Sequence, residues 1–385
     1  MKQLPYMLMI TLCGLALLRL LWMFHRAFRG LERSRRQPSI PAAPNKKVAV
    51  SLFVPAWNDA AILPRCLGSL LSEMVASPYS TQLIVVAGGV DGSYDAAKAW
   101  SAAHPNVHAI IVEQSPQGKN TALNDGMKWA TGDILVFIDA DTQVSRHWLT
   151  ELIGPIIKGC AAATTGCFQP FAATPVSQIF VVEQYNAQIV LGEGNLFGGG
   201  TIAVTREALQ MIGGLPESVR AGVDWDLSRR LGDAGQVTRF VASARVKTEI
   251  CHSWRYFWRG EVRWRRAWWV LQEAPIERLR ALYSLAACLL LGSSPLVVVA
   301  MLIFFRPWLS LMLTGIIALW LWILGPNLVR LAAYVTGTRR LLPASHIVAY
   351  LFGAYLSGLA LLVGVATTGR VSPHFKGQRS GGVLS

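Results

Sequence analysis

Four stretches of the chain are apolar almost without a break: Leu4 to Phe24, Ala281 to Phe305, Pro307 to Val329 and Leu341 to Gly369. Each has the roughly 20 apolar residues that a bilayer crossing needs. Arg19 interrupts the first stretch near one end, where a long side chain snorkels to the headgroups, and His346 interrupts the last. The basic cluster follows the first stretch, whereas a cleaved leader carries it in front, so this stretch reads as an anchor. Between the first and second stretches the pattern changes. Val48 to Val54, Leu83 to Ala87, Val107 to Val112 and Ile134 to Ile138 are short apolar runs of strand type. Ile62 to Met74 and Asn120 to Ala130 have helical periodicity. Strands alternating with helices predict an α/β domain with a mostly parallel sheet covered on both faces. In such sheets ligands bind beyond the carboxyl ends of the strands.

A last pattern follows this domain. Arg255, Arg259, Arg263 and Arg266 recur at helical spacing beside Trp254, Trp258, Val262 and Trp269. A basic, Trp-rich amphipathic helix of this kind lies in the headgroup layer. The expected organisation is a transmembrane helix at 1–25, a basic cytoplasmic linker at 26–47 and the α/β domain at 48–250. Amphipathic interfacial helices at 251–280, two or three transmembrane helices at 281–370 and a tail at 371–385 complete it.

Composition agrees with a membrane protein. Of the 385 residues 52% are hydrophobic and only 15% are charged, against about a quarter charged in soluble domains. Lys plus Arg less Asp plus Glu is 36 − 22 = +14. On a membrane protein such an excess matches anionic headgroups, and no nucleic-acid partner is expected. The six cysteines contain no CxxC pair, so neither a disulfide framework nor a zinc site is readable. Arg26, Arg29, Arg33, Arg35, Arg36, Lys46 and Lys47 put the residues after the first span in the cytoplasm. Four spans return Arg330, Arg339 and Arg340 to that side but leave Arg370, Lys376 and Arg379 outside. This conflict disappears if one of the last three stretches does not cross.

The candidates for chemistry follow the strands. Ile134 to Ile138 leads into Asp139-Ala140-Asp141, two carboxylates suited to a hard divalent cation that also binds phosphate oxygens. Aspartates at strand ends also cap turns, so the pair decides nothing alone. Its neighbours are Val54-Pro55-Ala56-Trp57-Asn58-Asp59, Asp91-Gly92-Ser93, and Gly118-Lys119-Asn120-Thr121-Ala122-Leu123-Asn124. In this order and at these separations the motifs resemble the inverting nucleotide-sugar glycosyltransferases of family two, which include polysaccharide synthases and ceramide-type glucosyltransferases. Gly198-Gly199-Gly200, Thr205 to Leu209 and Gly213 to Glu217 extend the resemblance, which covers roughly residues 48 to 270.

The resemblance implies a Rossmann-like nucleotide-sugar-binding domain with N- and C-terminal transmembrane helices, a UDP-sugar donor, Mg2+ or Mn2+, and a lipid or growing glycan as acceptor. It puts Trp57 and Asp59 beside the nucleoside, Asp91 against the base, Lys119 near the diphosphate, and Asp139 and Asp141 at the metal. Val90 stands where the family has a further Asp. Gly199 and Gly200 belong to the acceptor side. Asp224, in Val223-Asp224-Trp225-Asp226, aligns with the catalytic base, and Asp226 is expected to cap a helix over Leu227 to Leu231. Arg263 and Trp264 match the Arg-Trp of the family's Gln-x-x-Arg-Trp motif, whose Gln is missing here; anchoring in the interface explains this pair equally well. The implied place is the inner membrane with the catalytic domain cytoplasmic. A catalytically inactive scaffold or an export component of a polysaccharide pathway is the alternative.

Overall fold

The computed structural model describes residues 4–35, 48–116, 118–188, 200–219, 222–271, single helical positions between 275 and 289, and 309–367. The predicted span 281–305 lies mostly outside these residues, and Gly199 and the tail 371–385 lie wholly outside them. The described chain runs α1 (Leu4–Arg35), β1 (Ala49–Trp57), α2 (Leu63–Ala76), β2 (Ser80–Gly88), α3 (Ser93–Ala103), β3 (Ala109–Glu113) and α4 (Lys119–Met127). It continues with β4 (Ile134–Ile138), β5 (Thr142–Val144), α5 (Trp148–Ile157), β6 (Ala163–Pro170), α6 (Pro175–Asn186), β7 (Thr201–Thr205) and α7 (Arg206–Met211). Then come α8 (Val223–Asp233), β8 (Thr238–Thr248), α9 (Trp254–Leu271), α10 (Leu309–Thr338) and α11 (Ala344–Ala366). Two compact units result. One gathers residues 38–172 and 191–250, the other 1–37, 173–190 and 251–369.

The first unit is built on one sheet of order β3-β2-β1-β4-β7-β6-β8-β5. β1 pairs in parallel with β2 and with β4, and β2 with β3. β1 is buried along nearly its whole length, as apolar Val50, Leu52, Phe53 and Val54 require. Phe53 and Phe137 meet with ring centroids 5.3 Å apart, and Ile84, Val86, Leu123, Leu135, Ile202 and Val204 close the core around them. Each such side chain contributes about 1.5–3 kcal/mol by leaving water.

Four of the seven strand pairs are parallel, β6 with β8 among them, so the sheet keeps the expected mostly parallel character but is mixed. β7 runs antiparallel to both β4 and β6, and β5 antiparallel to β8. The cause is the route of the chain: from β6 it leaves for the other unit through α6 and returns in the opposite sense. β5 and β8 had no expectation attached to them.

Buried polar groups fix the loop ahead of β4. The Gly132 amide donates to Ser51 Oγ at 2.9 Å, and Ser51 Oγ donates to Gln82 Oε1 at 2.9 Å. Arg206 donates to the carbonyls of Ala130 and Gly132. A Cβ at Gly132 would stand 2.5 Å from the Ser51 amide, so only glycine permits this approach. Glu73, buried on α2, accepts from the amides of His147 at 2.7 Å and Leu149 at 3.1 Å and so holds the start of α5.

The second unit is helical. α1 continues without a break through the first ten positions of the expected linker to Arg35. α6 opens on a capping box between Thr174 and Ser177. Val176, Ile179 and Val182 of α6 pack with Phe257, Leu331, Tyr334 and Tyr350. Ala27 and Leu31 pack with Val329 and Ala333. Glu183 pairs with Arg330 at 3.1 Å and accepts from the Tyr350 hydroxyl. Arg19 does not snorkel: its Nη1 donates to the Trp322 carbonyl at 3.0 Å, and its guanidinium lies 4.2 Å from the centre of the Trp322 ring. Trp322 is four residues ahead of Pro326, which has no N–H to return to that carbonyl. Among the described residues one helix, Ala344–Ala366, is long and apolar enough to cross a membrane.

Candidate active site

Strand order reverses at β1, with β2 and β3 on one side and β4 on the other, and a crevice opens beyond the carboxyl ends at such a point. Asp59 follows β1, Asp91 follows β2 and Asp139 follows β4. Trp57 closes β1, and its amide donates to Asp59 Oδ2 at 3.0 Å. Asp59 is 2% exposed, and its own amide donates to Ser93 Oγ at 2.7 Å. Asn58 Oδ1 accepts from Val90 at 2.8 Å and ties the β1 turn to the Gly88-Gly89 loop.

Asp91 serves the same turn from the other side. Its Oδ1 accepts from the Ser93 amide at 3.0 Å and hydroxyl at 2.6 Å, and its Oδ2 from the Ala60 amide at 2.9 Å. Burial pushes this carboxyl up, but the hydrogen bonds from Ser93 and Ala60 together outweigh it and hold Asp91 below the ordinary carboxylate value.

Lys119 is the first residue of α4, where Gly118 takes φ 113° to turn the chain into the helix. Its ammonium pairs with Asp139 Oδ1. Partial burial works against the charge, but Asp139, then Asp224 and Asp141, outweigh it and hold Lys119 above its ordinary value. Lys119 is thus paired with Asp139 and feels the charges of Asp224 and Asp141. The Asp139 amide donates to the Gly200 carbonyl at 3.2 Å, which sets the end of β4 against the start of β7. Asp141 is 9% exposed and accepts at Oδ1 from Thr248 Oγ1 at 3.2 Å. The β5–β8 register puts Thr142 opposite Thr248, and this pairing aims Asp141.

Asp224 lies in the first turn of α8, which begins at Val223 after Gly222 at φ 72°. Asp226 is therefore inside the helix and not its N-cap, which corrects the expectation of a helix over Leu227 to Leu231. Asp226 is buried, pairs with Arg230 Nε at 2.8 Å and meets Arg229 Nη2 at 3.4 Å. Arg230 also donates to the carbonyls of Ile212 and Gly214. Asn120 donates to the Pro216 carbonyl at 2.8 Å and Asn124 to Leu215 at 2.9 Å. These bonds tie α4, which carries Lys119, to the turn that launches α8 and Asp224.

Sequence reasoning missed two neighbours of the acidic pair. Thr248 had no signal of its own beyond continuing the alternation of buried Ala244 and Val246. Cys66 on α2 is buried, with Sγ 3.8 Å from the Asp139 carbonyl, and burial followed by Asp141 and Asp139 pushes its thiol up. Beside them Arg65 pairs with Glu249 at 3.1 Å and lies 3.8 Å from the centre of the Phe171 ring. Arg263 and Trp264 belong to the helical unit, on α9. There Trp264 packs edge-on to Phe180 with centroids 5.4 Å apart, and the Arg263 guanidinium is 5.6 Å from the Trp264 ring centre.

Two carboxylates, one half-exposed and one buried, are a hard oxygen donor set. That set suits Mg2+ or Mn2+ when substrate phosphates and water complete the shell. Among the described residues no group of three or more His, Cys, Asp or Glu side chains stands ready to hold a metal.

A Rossmann-like sheet with an acidic, lysine-bearing switch point defines a nucleotide-binding α/β domain. Residues 51–209 match the family model "Glycosyl transferase family 2". The domain they form is similar to the family-two glycosyltransferases. Glycosyltransferase AglE of Haloferax volcanii is 25% identical over 254 residues, covering 64% of this chain and 81% of that protein. The probable glycosyltransferase YdaM of Bacillus subtilis is 23% identical over 229 residues, 56% of this chain and 54% of its own length. In fold the chain is similar to the mannosyltransferase PcManGT from Pyrobaculum calidifontis, solved with GDP-Man and Mn2+. The TM-score is 0.57 at 18% identity, over 95% of this chain and 99% of that one.

Proposed function

We propose that the chain is a membrane-held, inverting glycosyltransferase that moves a sugar from a nucleoside diphosphate sugar to a lipid or growing glycan. The observation that carries this reading is the ion pair of Lys119 with Asp139 at the switch point of the sheet, where the charges of Asp224 and Asp141 also favour the ammonium. A diphosphate leaving group needs positive charge beside it, and an attacking hydroxyl needs a base; this set contains both.

Asp224 accepts the proton of the acceptor hydroxyl as its oxygen attacks the anomeric carbon from the face opposite the diphosphate, which inverts that centre. Lys119 stands near the departing diphosphate. Asp139 and Asp141 would hold Mg2+ or Mn2+, which when bound neutralises charge on that group. By the family resemblance Trp57, Asp59 and Asp91 would serve the nucleoside end and Gly200 the acceptor side. The family resemblance favours a UDP-sugar; GDP-Man in the Pyrobaculum protein makes GDP the competing base.

The apolar helices hold the protein at the inner membrane with the catalytic unit in the cytoplasm, where nucleotide sugars are made. The test uses membranes containing the full chain, a panel of UDP- and GDP-sugars, and product analysis by mass spectrometry. Release of nucleoside diphosphate is expected to require one donor and to stop in excess chelator. Added Mn2+ or Mg2+ restores it, but not in Asp141→Asn. Full turnover in chelator would overturn the metal assignment, and no donor-dependent release would favour an inactive scaffold.

A further inference from the structure

We infer that α11 does not cross the bilayer but lies in its surface alongside α9. The inference goes beyond the transferase reading and rests only on membrane attachment.

Four contacts within the helical unit set the two helices side by side. Trp254 meets Phe352 edge-on with centroids 4.9 Å apart. Phe257 Cζ would stand 3.3 Å from a Cβ at Gly353. A Cβ at Gly364 would come within 3.0 Å of the Arg266 amide nitrogen and 3.3 Å of the Val262 carbonyl, so the backbones touch there. Arg266 Nη2 donates to Thr367 Oγ1 at 2.6 Å. Residue numbers rise together on both helices, from 254 with 352 to 266 with 367. α9 therefore runs beside α11 in the same direction for about 18 Å, at 1.5 Å per residue.

Along that length α9 carries a charge on nearly every turn. Arg255, Arg259 and Arg263 are exposed at intervals of four, one row on one face. If α11 crossed the bilayer, Arg259, which lies between Phe257 at the level of Gly353 and Val262 at the level of Gly364, would sit near the middle of the hydrocarbon, with Arg263 close to the far end of the helix. Guanidinium groups facing lipid at that depth are strongly disfavoured. With both helices in the plane of the surface the conflict disappears. The exposed apolar row of α11, with Val348 65%, Phe352 47% and Leu362 50% exposed, enters the acyl boundary while the arginines of α9 reach headgroup phosphates.

The charge pattern of the chain leads to the same place independently. With three crossings instead of four, Arg370, Lys376 and Arg379 stay on the side of Arg330, Arg339 and Arg340, as the distribution of basic loops requires.

The test places a single cysteine at each end of α11, Ser345→Cys or Ala366→Cys, both exposed positions. Sealed vesicles of each orientation are treated with a membrane-impermeant maleimide, and peptide mass spectrometry separates these sites from the native cysteines. Both ends are expected to react from one and the same face. An end that fails to react from the face that labels the other overturns the inference. Alkaline carbonate is applied first: release of the chain would sink membrane attachment as well, whereas retention with labelling from opposite faces sinks this inference alone.

Discussion

Asp224 and Asp226 are two residues apart on α8 and have different work to do. Asp224→Asn keeps size and hydrogen bonding but removes basicity, so turnover is expected to fall by roughly 10²–10⁴. Donor binding, measured by calorimetry with the nucleoside diphosphate, should stay within a factor of about two. Asp226→Asn should act on the fold instead. It leaves Arg230 buried beside a neutral partner, and about 2 kcal/mol of stability should be lost. The signature is a lower unfolding midpoint with near-normal turnover in the folded fraction. Asp91 predicts a pH effect whose sign is fixed by its depressed value. Its contribution is present above the ordinary carboxylate pKa of about 3.9 and disappears as pH falls through the folded value. A plot of Tm against pH should therefore have a shallower acid arm in Asp91→Asn. Asp59, Asp91, Asp139 and Asp141 were legible in the sequence because each follows an apolar run that announces a strand; Asp224, on α8, stood out only through the family resemblance. Thr248 was not legible, since it reaches Asp141 across 107 positions through a strand pair only three residues long. Nor was the place of Asp226, because Gly222 starts the helix earlier than an aspartate cap would.

At the scale of elements, β1 to β4 were all visible as apolar runs, and so were α2 and α4, whereas the parallel pair β6 and β8 was not. The sense of β7 was not visible, because it depends on where the chain goes between β6 and β7. That excursion, α6, is placed by Thr174 and Ser177 and by contacts to residues more than a hundred positions away. Glu73 shows how one side chain connects elements. Removing it in Glu73→Ala leaves the amides of His147 and Leu149 without their acceptor at the buried start of α5. A loss of about 1–3 kcal/mol is expected, read as a shift in the urea midpoint in detergent. Glu73→Gln, which retains one acceptor oxygen, should recover part of it.

For the whole molecule, the sequence announced membrane attachment through four apolar runs, but a run of suitable length does not say whether a helix stands or lies. For α11 the inference rests on its neighbours on α9. The pairing of Arg19 with the carbonyl ahead of Pro326 has a consequence in time. The two partners are 303 positions apart. At about 5–20 residues per second, Trp322 leaves the ribosome roughly 15–60 s after Arg19. Through that interval the first helix carries a guanidinium with no partner from α10, and α10 in turn is made with a carbonyl that its own backbone cannot satisfy. During synthesis α1 thus waits for α10. Nascent chains arrested before residue 309 should leave α1 open to protease and extractable, and chains arrested well after residue 338 should not. Arg19→Leu should keep even finished chains in the early state, and Pro326→Ala, by restoring the amide, should relieve part of that defect.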